Sequence, residues 1–251
     1  MAQRLMLTIV GCGDAFGSGG RLQTSFLAEC AGQRWLIDCG ATTMLGLNRA
    51  GIDPNSIATI VISHLHGDHF AGLVWWLLHG QHVGKRTAPL DVYGPPGIAA
   101  RFAIAAEALF PGSTTIEPRF AMRFVELAEG HPQPIGQLTV TPFEVEHPSG
   151  APTFALRFEI GHKVLAFSAD TEWTDKLLGV CRGADLAILE SFWFEGSPRY
   201  HMSWRTIEAN LDRLAARRVL LTHMGEPMLA RRAEVTDPRV ILAEDGLVVS
   251  V

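Results

Sequence analysis

This sequence has little cysteine, no excess of positive charge and no long apolar run, and each shortage excludes a class of protein. The four cysteines, Cys12, Cys30, Cys39 and Cys181, form no CxxC pair and no dense framework. That argues against a disulfide-stapled scaffold and for reduced, mostly buried thiols in a cytosolic setting. Lysine and arginine number 21 against 26 aspartates and glutamates, a net charge of −5. Proteins that grip long nucleic acid usually carry a basic field, so that partner is disfavoured. The densest apolar piece, Ala71 to Leu78, falls well short of the roughly 18 residues a membrane span needs. Met1 to Val10 lacks the apolar core and cleavage site of a secretory signal, so the expectation is a soluble, cytoplasmic protein.

What remains is the composition of a packed globular protein. Hydrophobic residues make up 47% and charged residues 19%, enough apolar surface for a sizeable core. With no Ser/Gly-rich linker and no low-complexity tract, residues 1–251 read as one domain of layered helices and sheets.

Periodicity places strands at Met6 to Val10, Ser25 to Cys30, Gln33 to Ile37, Ile60 to Ile62 and Leu90 to Tyr93. The second and third of these read as a hairpin around Ala31-Gly32. Further strands are expected at 138–146, 153–160, 163–168, Leu186 to Leu189 and Val219 to Leu221. Helical composition marks 41–50, Phe70 to His79, the alanine-rich stretch after Gly94-Pro95-Pro96-Gly97 up to about Leu109, 174–180 and Ser203 to Ala216. In the last, Trp204, Ile207, Leu211 and Leu214 recur at helical spacing and read as core.

The chemistry is concentrated in His64-Leu65-His66-Gly67-Asp68-His69, directly after an apolar strand. Two imidazoles two positions apart can converge on one ion, and the flexible Gly67 lets Asp68-His69 turn toward a second. A polar loop is the bland alternative for a lone HxH; the six-residue pattern at a strand end is far more specific.

That pattern resembles the hallmark HxHxDH of the metallo-β-lactamase superfamily, and the resemblance spans essentially the whole chain. It implies an α/β fold, a four-layer αββα sandwich of the metallo-β-lactamase type. It implies two divalent metal ions, zinc foremost, with manganese or iron also compatible with imidazole and carboxylate. The ligands it implies are His64, His66, Asp68 and His69, then His147, Asp170 and His223 at later strand ends. Class B β-lactamases commonly carry cysteine where Asp170 stands, which points away from antibiotic hydrolysis.

More closely, the chain is similar to the ribonuclease Z-type branch. The matching pieces are Gly11-x-Gly13, Ile37-Asp38-Cys39-Gly40, Ser63-His64-Leu65-His66-Gly67-Asp68-His69, Tyr93-Gly94-Pro95-Pro96-Gly97, Leu189-Glu190, His201-Met202-Ser203 and Leu221-Thr222-His223. The resemblance implies catalytic roles for Asp68, which helps orient the attacking water, and for Glu190 paired with His201, which protonates the leaving oxygen. The plain alternative for His201 is a polar residue preceding a helix.

Two departures narrow the substrate. The tripeptides Glu190-Ser191-Phe192 and His201-Met202-Ser203 differ from those usual in tRNA-processing members. Strands also fill the interval between His147 and Asp170, where those members usually insert an arm that holds tRNA. A small or cyclic phosphodiester fits better, met as a small-molecule partner with no membrane involved; relatives suggest a homodimer. Rival readings are a hydrolase of lactones, esters or thioesters on the same metals, a tRNA 3′-end endonuclease, and a non-catalytic small-molecule binding module.

Several residues keep two readings. Asp38 either orients a ligand histidine or forms a turn. The loop Gly11 to Gly20 fails the phosphate-loop patterns and reads as a turn beside the site. Trp75, Trp76, Phe192, Trp193 and Phe194 either wall a pocket or fill the core. Ser149 is a turn residue or a substrate neighbour. His79, His82, His131 and His162 are read as surface or loop residues.

Overall fold

A computed structural model describes residues 4–196 and 199–251; residues 1–3 and 197–198 of the expected 1–251 domain lie outside the described residues. The first half runs β1 (Met6–Gly11), β2 (Ser25–Cys30), β3 (Gln33–Ile37), α1 (Thr43–Arg49), β4 (Thr59–Val61), α2 (Gly67–Phe70), α3 (Gly72–Leu78), β5 (Leu90–Gly94), α4 (Ile98–Leu109) and β6 (Met122–Glu126). The second half runs β7 (Gln133–Ile135), β8 (Leu138–Val145), β9 (Thr153–Ile160), β10 (Lys163–Phe167), α5 (Lys176–Cys181), β11 (Leu186–Glu190), α6 (Trp204–Leu214), β12 (Val219–Thr222), α7 (Glu226–Leu229), β13 (Val240–Leu242) and β14 (Val248–Ser250).

Among the described residues these strands form two seven-stranded sheets, in the orders β14-β1-β2-β3-β4-β5-β6 and β13-β12-β11-β10-β9-β8-β7. Each sheet joins an antiparallel portion to a parallel one, which runs β3 to β6 in the first sheet and β10 to β13 in the second. Local chemistry sets the hairpins. Ala31 and Gly32 both take positive φ, 52° and 77°, and close β2 onto β3 with Cys30 opposite Gln33. Two central residues at φ > 0 match the right-handed twist of the flanking strands.

Three apolar clusters define four layers. Leu7, Phe26 and Trp35 of the first sheet meet Phe154, Phe158 and Phe167 of the second in the central core. Leu36, Ile60, Leu73, Trp76 and Phe102 pack helices α3 and α4 on the outer face of the first sheet. Leu177, Trp204, Ile207, Leu211 and Leu214 do the same for α5 and α6 on the second, so the α6 stripe is core as its spacing predicts. Side chains of this size stabilise by roughly 1.5–3 kcal/mol each when fully buried. The parallel strands β4, β11 and β12 are buried at every position, since both sheet faces are covered.

Some expectations shift. The apolar stretch from Phe70 to His79 is not one helix: α2 begins at Gly67, α3 follows from Gly72, and a π turn covers His79–Val83. Four short strands, β6, β7, β13 and β14, escaped the sequence reading; only β14 has a fully buried residue in a clear alternation, at Val249. No described helix is long and apolar enough to cross a membrane.

Candidate metal centre

The parallel strands of both sheets end at one rim, the position where open α/β sheets place their ligands. Asp38 follows β3, His64 to His69 follow β4, His147 follows β8, Asp170 follows β10, Glu190 ends β11 and His223 follows β12. Among the described residues, ligand atoms of His64, His66 and His147 lie within 4.8 Å of one another, and so do those of Asp68, His69, Asp170 and His223. The seven residues read from the sequence as ligands therefore converge in two groups. Asp170 sits between them: its Oδ2 is 3.3 Å from His69 Nε2 and His223 Nε2, and 3.9 Å from His64 Nε2 and His147 Nε2.

Hydrogen bonds outside the cluster decide which nitrogen His64, His69 and His147 turn inward. Asp38 Oδ2 receives His69 Nδ1–H at 2.7 Å, leaving His69 Nε2 to face Asp68 and Asp170. Ser63 donates its hydroxyl proton to Asp38 at 2.8 Å, so His64 Nδ1, 3.0 Å away, must donate to Ser63. His147 Nδ1 donates to the Tyr200 carbonyl at 2.8 Å, which turns His147 Nε2 inward, 3.0 Å from His66 Nδ1. Asp38 is thus an orienting carboxylate, the more specific of its two readings. The Tyr200 carbonyl was invisible in the sequence, because a backbone oxygen in a loop carries no residue signal.

The backbone is strained where the site is built. Asp38, Ala169, Tyr200 and His223 have φ of 57°, 54°, 66° and 55°. Non-glycine residues in the left-handed region cost energy and persist where surrounding contacts over-determine them. Three of these four stand at strand ends that deliver site groups. Close approach adds a second constraint: a Cβ on Gly40 would lie 2.3 Å from the Asp68 carbonyl oxygen. Gly40 lets the loop after β3 touch the metal loop.

The electrostatics favour a cation. Burial holds His64, His66 and His147 below the usual imidazole value, so all three are neutral and keep a lone pair. Burial alone would also lower His69 and His223. The carboxylates Asp170 and Asp68 outweigh it, raising His69 well above the usual range and His223 to about 9. The imidazoles in turn overcome burial and hold Asp68 and Asp170 low, as anions.

His64 Nε2, His69 Nε2, Asp170 Oδ1 and His223 Nδ1 are buried and have no hydrogen-bond partner among the described residues. Buried polar atoms are rarely left unpaired. Four orphans in one cluster of imidazoles and carboxylates fit divalent ions with borderline or hard ligand preference.

At the mouth, His201 Nδ1 lies 3.0 Å from Glu190 Oε1. Glu190 is wholly buried, and burial pushes its carboxyl up. Yet its oxygens receive N–H groups from Thr171, Phe192 and Met202 as well as the His201 ring, a donor set that calls for the anion. Burial pulls His201 down, and the Glu190 hydrogen bond and charge more than offset it, leaving His201 above its usual value. The cleft, about 350 Å³, is lined by His66, Asp68, His147, Asp170, His201 and His223 with Ala15, Phe16 and Phe192. The glycine-rich loop does border the site. Of the aromatic candidates, Phe192 lines the cleft, while Trp76 and Phe194 are core. His82, His131 and His162 are exposed, and His79 is half-buried.

Comparisons with known proteins agree with this geometry. Ribonuclease BN of Cronobacter sakazakii is 36% identical over 145 residues, covering 57% of this chain and 46% of that protein. The chain therefore spans under half the length of that curated relative. Human tRNase Z, short form, superimposes with a TM-score of 0.76 at 25% identity, over 97% of this chain and 98% of that one. The metallo-β-lactamase fold protein YhfI of Bacillus subtilis has a TM-score of 0.79 at 22% identity, over 99% and 100%. The two sheets with flanking helices are the metallo-β-lactamase fold, and the His/Asp clusters at their rim are ones that could hold metal ions. A family profile, Anti-Pycsar protein Apyc1, matches residues 5–244, and the chain belongs to that family.

Proposed function

We propose that the protein hydrolyses a small or cyclic phosphodiester, with His64, His66 and His147 the residues that would hold one divalent ion, Asp68, His69 and His223 a second, and Asp170 placed to serve both. Ions so held would supply Lewis acidity toward phosphoryl oxygens and activate water as a nucleophile. Asp68, anionic and half-way into the cleft, accepts a hydrogen bond from the attacking water and orients it. His201, held charged by Glu190, gives its proton to the leaving oxygen.

The Glu190–His201 pair is the observation that carries this reading. An alkoxide leaves phosphorus poorly unless protonated, and an imidazolium at the mouth meets that need. The His201 side chain is 26% exposed at the cleft mouth, and its ring reaches within 4.8 Å of ligand atoms of His147 and Asp170, so a proton on it can reach a diester bound at the cluster. A carboxylic ester or lactone has a weaker demand for such an acid. The cleft's volume suits a small ligand. With β9 and β10 filling the interval between His147 and Asp170, an arm for tRNA has no place there.

The test is turnover of a cyclic alkyl phosphodiester, whose leaving alkoxide needs a proton, by metal-loaded wild type, His201→Ala and Asp68→Ala, beside a lactone panel. Diester turnover that collapses in both variants upholds the reading. Lactone turnover indifferent to His201, with no diester turnover, overturns it in favour of a carbonyl-centred hydrolase.

A further inference from the structure

Phe16 is the most solvent-exposed large hydrophobic side chain among the described residues, at 84%, and it stands on the rim of the metal cleft. A single exposed aromatic on a loose loop would mean little. This loop is not loose. Asp14, fully buried, accepts the Phe16 N–H at 3.2 Å and the Ser18 N–H at 2.9 Å through one oxygen, and the Ser18 hydroxyl at 2.6 Å through the other. Gln23 donates to the Ala15 carbonyl at 3.3 Å. Gly17, Gly19 and Gly20 take φ of 69°, 64° and 74°, turning the chain tightly behind Phe16.

The loop is also fastened to the strand end that delivers His223. His223 N–H donates to the Cys12 carbonyl at 3.0 Å, and Gly19 N–H donates to Glu226 in α7 at 3.0 Å. A buried carboxylate and three left-handed glycines thus hold one phenyl ring in water at a fixed place beside the ligands. Nothing in the described chain covers it. Across the same cleft Phe192 is seated instead, its ring centroid 5.2 Å from that of His201.

We propose that Phe16 is a specificity-determining residue, a platform on which a flat aromatic part of the diester, of the nucleobase kind, stacks while the phosphate reaches the metal centre. This rests on the phosphodiesterase reading above. Every base has a π face, so the platform tolerates any base and favours purines by area. Phe16 sets apparent affinity and leaves proton transfer to His201.

The experiment compares a nucleoside cyclic phosphate with the methyl riboside cyclic phosphate that lacks the base, using metal-loaded wild type, Phe16→Ala and Phe16→Trp. Wild type should prefer the base-bearing diester in kcat/KM by about 5- to 150-fold, the range that stacking of one base supplies. Phe16→Ala should erase most of that preference through KM, and Phe16→Trp should restore it. An undiminished preference in Phe16→Ala overturns the proposal. If wild type turns over neither diester, the phosphodiesterase reading fails separately. Calorimetric binding of adenosine monophosphate then judges Phe16: weaker binding in Phe16→Ala upholds the platform, and equal binding removes it. The side chain is in solvent, so these variants fold.

Discussion

Glu190 Oε1 receives His201 Nδ1 at 3.0 Å and, on the same oxygen, the backbone N–H of Thr171, the residue after Asp170. The His201 imidazole is thereby locked in register with Asp170, the carboxylate at the heart of the ligand cluster.

If His201 acts as an acid, the rate falls as pH rises through its raised pKa, because the proton is then absent. Glu190→Gln removes the charge that raises it, so the alkaline limb of kcat/KM should move to lower pH. His201→Ala should cost about 10²- to 10⁴-fold with an alkyl leaving group and far less with p-nitrophenol, which leaves without help. Equal losses with both leaving groups would exclude the acid role.

Asp38 turns His69 by a 2.7 Å hydrogen bond deep below the centre. Asp38→Asn should weaken metal binding by about 10- to 100-fold, the usual effect of losing such a supporting carboxylate. Competition with a chromophoric chelator measures this directly. An unchanged affinity would mean that packing alone orients the ring.

Metal-free protein should lose stability as pH rises from neutrality. His223 is raised to about 9, and His69 is raised well above its usual value. A raised folded pKa contributes stability fully below the unfolded value of roughly 6.5 and loses it through the folded pKa. Denaturation midpoints of chelated protein should therefore fall from pH 6.5 to 9. Bound metal replaces these protons, so the loaded protein should not show that fall. It should also melt higher, by an increment that grows with free metal. Parallel pH curves for the two forms would show that the ions do not occupy this cluster.

Gly40→Ala should push the loop after β3 away from the metal loop, since the new methyl meets the Asp68 carbonyl oxygen at 2.3 Å. Overpacking of this sort costs about 1–3 kcal/mol. Both the melting temperature and the metal affinity should drop, whereas Gly51→Ala, with no neighbour within 4 Å, should spare the affinity.

Sequence made the histidine and aspartate set legible because each member sits at the end of an apolar strand, and strand ends on one rim must meet. The α6 core stripe was legible for the same reason, a period of side chains. The orientation of His147 was not, because it depends on the Tyr200 carbonyl, held at φ 66° by contacts distant in sequence. The helix after His69 was misjudged in its bounds because Gly72 sends its N–H to the Cys39 carbonyl at 2.8 Å instead of into the helical ladder, a contact no local pattern announces. The edge strands β6, β7 and β13 lack a buried alternation, so no pattern announced them.

The split of the cluster between the two halves has a wider consequence. His64 to His69 hang from the first sheet, and His147, Asp170 and His223 from the second. An ion gripped by both works as a rivet across the sandwich, and its affinity becomes a gauge of how the sheets are aligned. Lesions far from the rim, such as loss of the edge-to-face contact between Phe26 and Phe167 with centroids 5.7 Å apart, would register first as a leaking metal and only later as unfolding.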